Sequence, residues 1–412
     1  MERKNSLIAQ RAYFGEGDDK VLAINAEANA RKKANEKVIN ASIGMLFSED
    51  GKLSTLEIVD KELSKQLTSE GRSYPSVSGG NEFSAGVLKW LLQNNYDRIL
   101  SKLEAKVIAT CGGTGALVCA LRNYTEINQS VLIPTPGWAN YRALISQHQA
   151  KSLNYLLFDD SLNFNIEALR SLAIKVASEE GRLTLIINDP SQNPTGFTLD
   201  EKELDQLIVL INEIAKKYPV VVIFDIAYLD FAPKKRARLI FSKLENFRNN
   251  VLPLFCFSAS KTFAIYGLRL GALVAFHKDK DIMEKFYLSS LATARALWSC
   301  SNAHAINTIT SLLNNNENRE LLLSQLNKDR KMLEKRGKLF SEEANSINLP
   351  MFPYKSGFFI TIKCPEANKV ADELKKIGIF VLPIRNEFLR VALSSLSLNE
   401  IKGLAGNIKT FM

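Results

Sequence analysis

Val251-Leu252-Pro253-Leu254-Phe255-Cys256-Phe257-Ser258-Ala259-Ser260-Lys261-Thr262 carries an apolar run straight into a lysine. The run is short, uninterrupted by charge, and predicts a buried strand at 252–257. A lysine just past such a strand either reaches water, as most lysines do, or stays partly desolvated. Desolvation disfavours the ammonium, lowers its pKa and leaves an amine able to act as a nucleophile. Ser258, three residues before Lys261, and Arg269, eight residues after it, could both grip a phosphate. A nucleophilic lysine with a phosphate clamp and small residues between suits pyridoxal phosphate.

Outward from this stretch, apolar segments at 106–109, 130–133, 183–187, 220–224 and 271–276 also read as strands. Amphipathic segments separate several of them. In 199–217, Leu204, Leu207, Ile208, Ile211 and Ile214 fall on one helical face. Strands spaced by helices predict an α/β fold with a mostly parallel central sheet flanked by helices. Such sheets bind ligands beyond the carboxyl ends of their strands, where every candidate motif of this chain lies. Residues 314–345 predict a long charged helix with Leu322, Leu326, Met332, Leu333 and Phe340 on its apolar side. Strands at 357–363 and 388–393 around a helix at 368–377 predict a smaller α+β unit.

The chain has 412 residues, 46% hydrophobic and 24% charged, which suits a soluble protein with a sizeable core. Its first twenty residues lack the apolar stretch of a secretory signal, and no run approaches a membrane span. Five scattered cysteines without CxxC pairing suit neither a disulfide framework nor a zinc site, and fit a reducing cytoplasm. Three distant histidines do not suggest a metal site. The net charge of +9 suits solubility and acidic small molecules. Its densest basic run, Lys234-Lys235-Arg236-Ala237-Arg238, has no interleaved aromatics, reads as a solvated loop and does not suggest a nucleic-acid surface.

Four more stretches carry chemistry. Asp225 ends the apolar run 220–224, and Tyr228 follows. A carboxylate there caps the next helix or meets a cation such as a protonated pyridine nitrogen. Cys111-Gly112-Gly113-Thr114-Gly115 follows a strand and lets backbone N–H groups approach an anion at a helix N-terminus. Its spacing is not that of a dinucleotide fingerprint, and no acid lies where a ribose-binding one should. Trp138, in Pro136-Gly137-Trp138-Ala139-Asn140-Tyr141, either packs in the core or stacks on a heteroaromatic ring. Asn193, in the turn-rich Asn188-Asp189-Pro190-Ser191-Gln192-Asn193-Pro194-Thr195-Gly196, either closes a plain loop or donates to a phenolate oxygen.

Taken in order, Gly113-Thr114-Gly115, Trp138-x-Asn140, Asn193-Pro194-Thr195-Gly196, Asp225-x-Ala227-Tyr228 and Ser258-x-Ser260-Lys261 with Arg269 resemble the class I pyridoxal-phosphate-dependent aminotransferases. The closest branch is that of the aspartate and aromatic aminotransferases, and the resemblance spans residues 22 to about 390. It implies the aspartate aminotransferase-like fold, with an N-terminal arm and part of a small domain at 1–52, a large cofactor-binding domain at 53–315 and a small domain at 316–412. Lys261 would hold the cofactor as a Schiff base and move the substrate proton. Asp225 would pair with the ring nitrogen, Tyr228 and Asn193 would bond its phenolic oxygen, and Trp138 would stack on the ring. Gly113, Thr114, Ser258 and Arg269 would bind the phosphate. Tyr74 matches a tyrosine that reaches the neighbouring subunit's phosphate, which implies a homodimer with shared sites. Arg390 would bind the substrate α-carboxylate, Arg295 a side-chain carboxylate across the dimer, and Ile43-Gly44 would close over the substrate.

The sequence departs from the aspartate enzymes at Asn188 and Gln192, where histidines often stand, at Trp298, where a smaller or hydroxylated aromatic stands, and at Gly112, where a serine would add a phosphate contact. The implied reaction moves an amino group from an L-amino acid, aspartate-like for preference, to a 2-oxo acid such as 2-oxoglutarate. Aromatic donors are the alternative within the family. A lyase or decarboxylase on the same fold would keep Lys261 and Asp225 without needing Arg295. An effector domain of a transcription regulator would need a DNA-binding domain for which there is little room before Leu22.

Overall fold

The computed structural model describes residues 7, 20–67 and 70–412. Of the arm expected at 1–52, residues 1–6 and 8–19 lie outside the described residues. Seven strands form the central sheet: β1 (Glu104–Cys111), β2 (Ser130–Thr135), β3 (Lys151–Leu156), β4 (Leu183–Asn188), β5 (Val220–Asp225), β6 (Val251–Ser258) and β7 (Leu270–His277). Their order is β1-β7-β6-β5-β4-β2-β3. β7 runs antiparallel to both neighbours, and the other pairings are parallel. Every residue of β4 and β5 is buried. Helices cover both faces of such strands, which is why they read as unbroken apolar runs.

The edge strand β3 was not legible in this way. Its sequence Lys-Ser-Leu-Asn-Tyr-Leu buries only Tyr155, as suits an edge strand with a wet flank. The predicted helix at 199–217 is Glu201–Ile214. It starts later because Asp200 caps it: the Asp200 carboxylate accepts from the Glu203 N–H while the Glu203 carboxylate accepts from the Asp200 N–H. The five leucines and isoleucines predicted for its inner face are all buried.

A three-stranded antiparallel sheet orders Leu382–Ile384, Phe388–Ala392 and Phe359–Lys363. The helices Ala367–Lys376 and Leu404–Phe411 share an apolar core with it. Helix Asn316–Ser346 serves both cores: Leu322, Leu326 and Leu333 pack into the main one, and Phe340 and Ala344 into the second. Arg336 on this helix is wholly buried. Its guanidinium donates to the Phe47 carbonyl (2.8 Å), the Ser394 carbonyl (3.1 Å) and the Glu49 carboxylate (2.8 Å). These bonds offset the desolvation of its charge and tie the segment before residue 50 to the smaller unit.

The basic run at 234–238 is not simply a solvated loop. Lys234–Ala237 is a short helix. Arg236 pairs with buried Asp189 at 3.0 Å, and Arg238 with buried Asp230 at 2.6 Å. Two acids carried into the interior need those charges, and composition alone does not reveal that they lie nearby. Among the described residues no helix is long and apolar enough to cross a membrane, and no cluster of His, Cys, Asp and Glu could hold a metal ion.

Candidate active site

Lys261 lies in the four-residue helix Ala259–Thr262 that follows β6 directly, so its place is set by the strand end. It is half-buried, and its ammonium stands 5.7 Å from the centre of the Tyr228 ring. Burial brings its pKa down to about 8; the positive charge of Arg269 adds to the shift, and Asp225 opposes it.

Asp225 ends β5, the strand beside β6. Its carboxylate accepts from the Tyr141 hydroxyl at 2.6 Å and from the Ala227 N–H at 3.1 Å. Burial raises its pKa, against the lowering pull of the phenol, the amide and Lys261. The side-chain amide of Asn188 donates to the Asp225 carbonyl at 2.9 Å, and its oxygen accepts from the Asn193 N–H at 2.8 Å. Gln192 donates to the Pro136 carbonyl at 2.8 Å. Asn188 and Gln192 therefore brace the 188–196 loop against β5 and the loop that carries Trp138.

One pocket gathers Gly113, Thr114, Trp138, Asn193, Asp225, Tyr228, Ser258, Lys261 and Arg269. Gly113 and Thr114 open helix Gly112–Tyr124, whose free N–H groups and positive dipole end suit an anion. A side chain on Gly113 would meet the Ser258 Cβ at 3.0 Å. At Gly112, φ is +70°, and an added Cβ would lie 2.6 Å from the Arg269 guanidinium. Glycine here lets the guanidinium lie against the backbone. Gly112→Ala is expected to lose about 1–2 kcal/mol and to displace Arg269. A lower urea midpoint measures this; an unchanged midpoint would refute it.

Arg390 is buried in the middle strand of the small sheet. It donates to the Ser42 carbonyl at 2.6 Å and to Asn193 at 3.4 Å, and lies 4.4 Å from the centre of the Phe359 ring. Gly44 lies so close to Phe359 that an added Cβ would stand 2.6 Å from its ring. Ile43, beside it, is half-buried. The structure thus brings Arg390 and the Ile43-Gly44 segment together next to Asn193. It does not bring Tyr74 or Arg295 into the pocket: Tyr74 is 92% exposed, and Arg295 is exposed and bonded to the Ser299 hydroxyl.

Tyr141 is the contributor that sequence reasoning missed. Its ring is fully buried and sits edge-on to Trp138 with centroids 5.2 Å apart. Burial, then the nearby carboxylate charge of Asp225, push its phenol well above its ordinary pKa, so it stays a hydrogen-bond donor.

The family model described as Aminotransferase class I and II matches residues 36–408. An aspartate aminotransferase of Pseudomonas aeruginosa is 26% identical over 312 residues, covering 75% of this chain and 76% of that protein. Among solved structures, an aminotransferase from Anaerococcus prevotii superposes with a TM-score of 0.93 at 30% identity, covering 98% of this chain and 99% of that one. The aromatic-amino-acid aminotransferase of Burkholderia pseudomallei, solved covalently bound to pyridoxal phosphate, superposes with a TM-score of 0.80 at 21% identity. It covers 97% of this chain and 98% of that one, and carries the likeness of fold.

Proposed function

The chain belongs to the class I and II aminotransferases, and from that premise we propose that it moves the amino group of a dicarboxylic L-amino acid such as aspartate to a 2-oxo acid, with pyridoxal phosphate held at Lys261. The observation that carries this reading is one pocket that holds a half-buried lysine with a lowered pKa, a buried carboxylate and a glycine-lined helix N-terminus beside an arginine.

The residues fit the cofactor. Gly113, Thr114, Ser258 and Arg269 would hold its phosphate dianion. Asp225 has no arginine or paired lysine among its hydrogen-bond partners, and a protonated ring nitrogen would match its charge. Trp138 would wall one face of the ring, and Tyr228 and Asn193 would bond its phenolic oxygen. When bound, the cofactor supplies a conjugated ring that takes up the electron pair left at the substrate α-carbon.

The protein supplies orientation and proton transfer. Arg390 would clamp the α-carboxylate with its planar fork, braced by Phe359 and Asn193. The Lys261 amine, neutral in a useful fraction near neutral pH, would take the α-proton and deliver it to the cofactor carbon on the far side of the transferred nitrogen. Ile43 and Gly44 would cover the substrate and exclude water. A second copy of the chain would bring Tyr74 to the phosphate and Arg295 to the substrate side chain; the exposure of both residues supports this. The proposed division keeps 53–315 as the cofactor lobe and 316–412 with part of 1–52 as the small lobe.

Mixing the purified enzyme with aspartate and 2-oxoglutarate tests the reaction through glutamate formation. Release of ammonia and pyruvate without any oxo-acid requirement would replace this reading by a lyase. The aromatic alternative keeps every group above and differs at Arg295. Arg295→Ala is expected to lower kcat/KM for aspartate and glutamate about ten- to a hundredfold and to leave phenylalanine within about threefold. Equal losses on both classes would remove Arg295 from the side-chain pocket.

A further inference from the structure

Away from Lys261, a cavity of about 740 Å³ opens between the end of helix Asn81–Leu92, the segment after β5 and the first half of helix Asn316–Ser346. Its size falls within the roughly 300–1,000 Å³ of small-molecule sites. Trp90, Leu323 and Leu326 supply apolar wall, and the charged lining is mostly positive.

Arg238 enters from the segment after β5. Its guanidinium lies 5.1 Å from the centre of the Trp90 ring, and it donates to the Trp90 carbonyl and to Asp230. Lys234 stands four residues earlier and is exposed. Arg319 and Arg330 come from the long helix, and Lys89 from the helix opposite. Among the described residues, two acids line the cavity, Asp230 and Glu320. Asp230 is buried and fully engaged: one oxygen accepts from Arg238 at 2.6 Å, and the other from Trp90 at 3.1 Å and Thr262 at 2.7 Å. Its charge is matched by Arg238. Arg319 bonds a carbonyl and an amide oxygen, Lys89 bonds the Asn314 amide, and Arg330 bonds the Asn327 amide with Glu334 at 4.0 Å. Positive charge thus exceeds negative charge in a walled cavity, where converging cations attract an anion more strongly than they would on a flat surface.

We propose that this cavity is a second binding site, for a small polyanion bearing phosphate or several carboxylates, held chiefly by Lys234 and Arg330, with Arg238, whose charge Asp230 already matches, offering only its remaining N–H groups. The site is tied to the catalytic turn. Asp230, which anchors Arg238, also accepts from Thr262, the residue after Lys261. An anion drawing on Arg238 therefore acts on a carboxylate that also bonds that turn.

The test is calorimetric titration of the full-length chain, saturated with pyridoxal phosphate so that its phosphate cradle is filled, with inorganic pyrophosphate and separately with citrate at fixed ionic strength. Pyrophosphate alone binding identifies a phosphate-bearing ligand; citrate alone, a polycarboxylate; both, a general polyanion site. In Lys234→Gln/Arg330→Gln, neither residue of which belongs to the proposed machinery, affinity should fall about tenfold or more, with turnover in the absence of added anion unchanged. An Arg390→Lys enzyme should retain the binding, which separates this cavity from the substrate carboxylate site. No binding of either anion up to about 10 mM overturns the proposal. So does equal affinity in the double variant.

Discussion

Lys261→Ala is expected to lower turnover about 10⁴-fold without unfolding the protein. The side chain leaves from a four-residue helix at the end of β6, whose backbone is fixed by pairing with β5 and β7. Truncation removes a half-buried amine, not a packed core group. What disappears is the proposed base, near its working pH. With a pKa of about 8, about a quarter of the amine is neutral at pH 7.5, against about one part in a thousand for an ordinary lysine. Reactivity of the cofactor-free lysine toward pyridoxal phosphate should therefore rise with pH and level off above about 8. The linkage has a definite sign. Between pH 8 and the unfolded value the unfolded chain binds more protons at this site, so Lys261 makes the cofactor-free protein gain stability as pH rises through that window. Stopped-flow absorbance and single-turnover assays measure the first effects, and urea unfolding against pH the last. Wild-type turnover by Lys261→Ala would remove the residue from the mechanism.

Asp225→Asn is expected to reduce kcat/KM about 10²–10⁴-fold, because the proposed pairing with a protonated ring nitrogen would make Asp225 one member of a buried ion pair, whose loss costs about 3–5 kcal/mol. The cofactor-free protein should respond differently. There Asp225 is a buried acid whose pKa burial raises. The amide has nearly the same shape and carries no charge to desolvate; its one oxygen can accept from the Ala227 N–H while its NH2 donates to the Tyr141 oxygen, which takes the acceptor role. Asp225→Asn without cofactor should be as stable as the wild type or more so, while the stabilisation gained on adding pyridoxal phosphate shrinks. The raised pKa also means that native Asp225 keeps its proton after the unfolded chain has lost it. Its contribution to cofactor-free stability therefore falls as pH rises through the carboxylate range, and the variant abolishes that slope. Thermal unfolding with and without cofactor reads both signs. An Asn variant that loses stability only in the cofactor-free form would make Asp225 a structural residue instead.

Much of this site was legible because its residues lie at strand ends. An unbroken apolar run announces a buried parallel strand, and a polar residue at its carboxyl end stands out. That is how Lys261, Asp225 and the Gly113 turn were found. Tyr141 carried a weaker signal. It lies in the first turn of helix Asn140–Gln147, just after the loop that carries Trp138. A tyrosine there reads as core unless Asp225 is already known to lie against it. Arg236 and Arg238 were hidden for the same reason: a basic run looks solvated until the acids it serves are placed beneath it. Edge strand β3 lacked the apolar run because only Tyr155 needed burial.

By itself, the sequence determined which segments are buried, where the chain turns and which chemical groups stand at the turns, because burial periodicity and glycine stereochemistry are local. Only the tertiary structure decided that Arg390 meets Asn193 across 197 residues and Ser42 across 348, that Tyr141 fixes Asp225, and that Asp230 joins an outer cavity to the turn of Lys261. Those meetings depend on how helices and strands pack, and packing satisfies polar groups with whatever partner the fold brings near, at any separation along the chain.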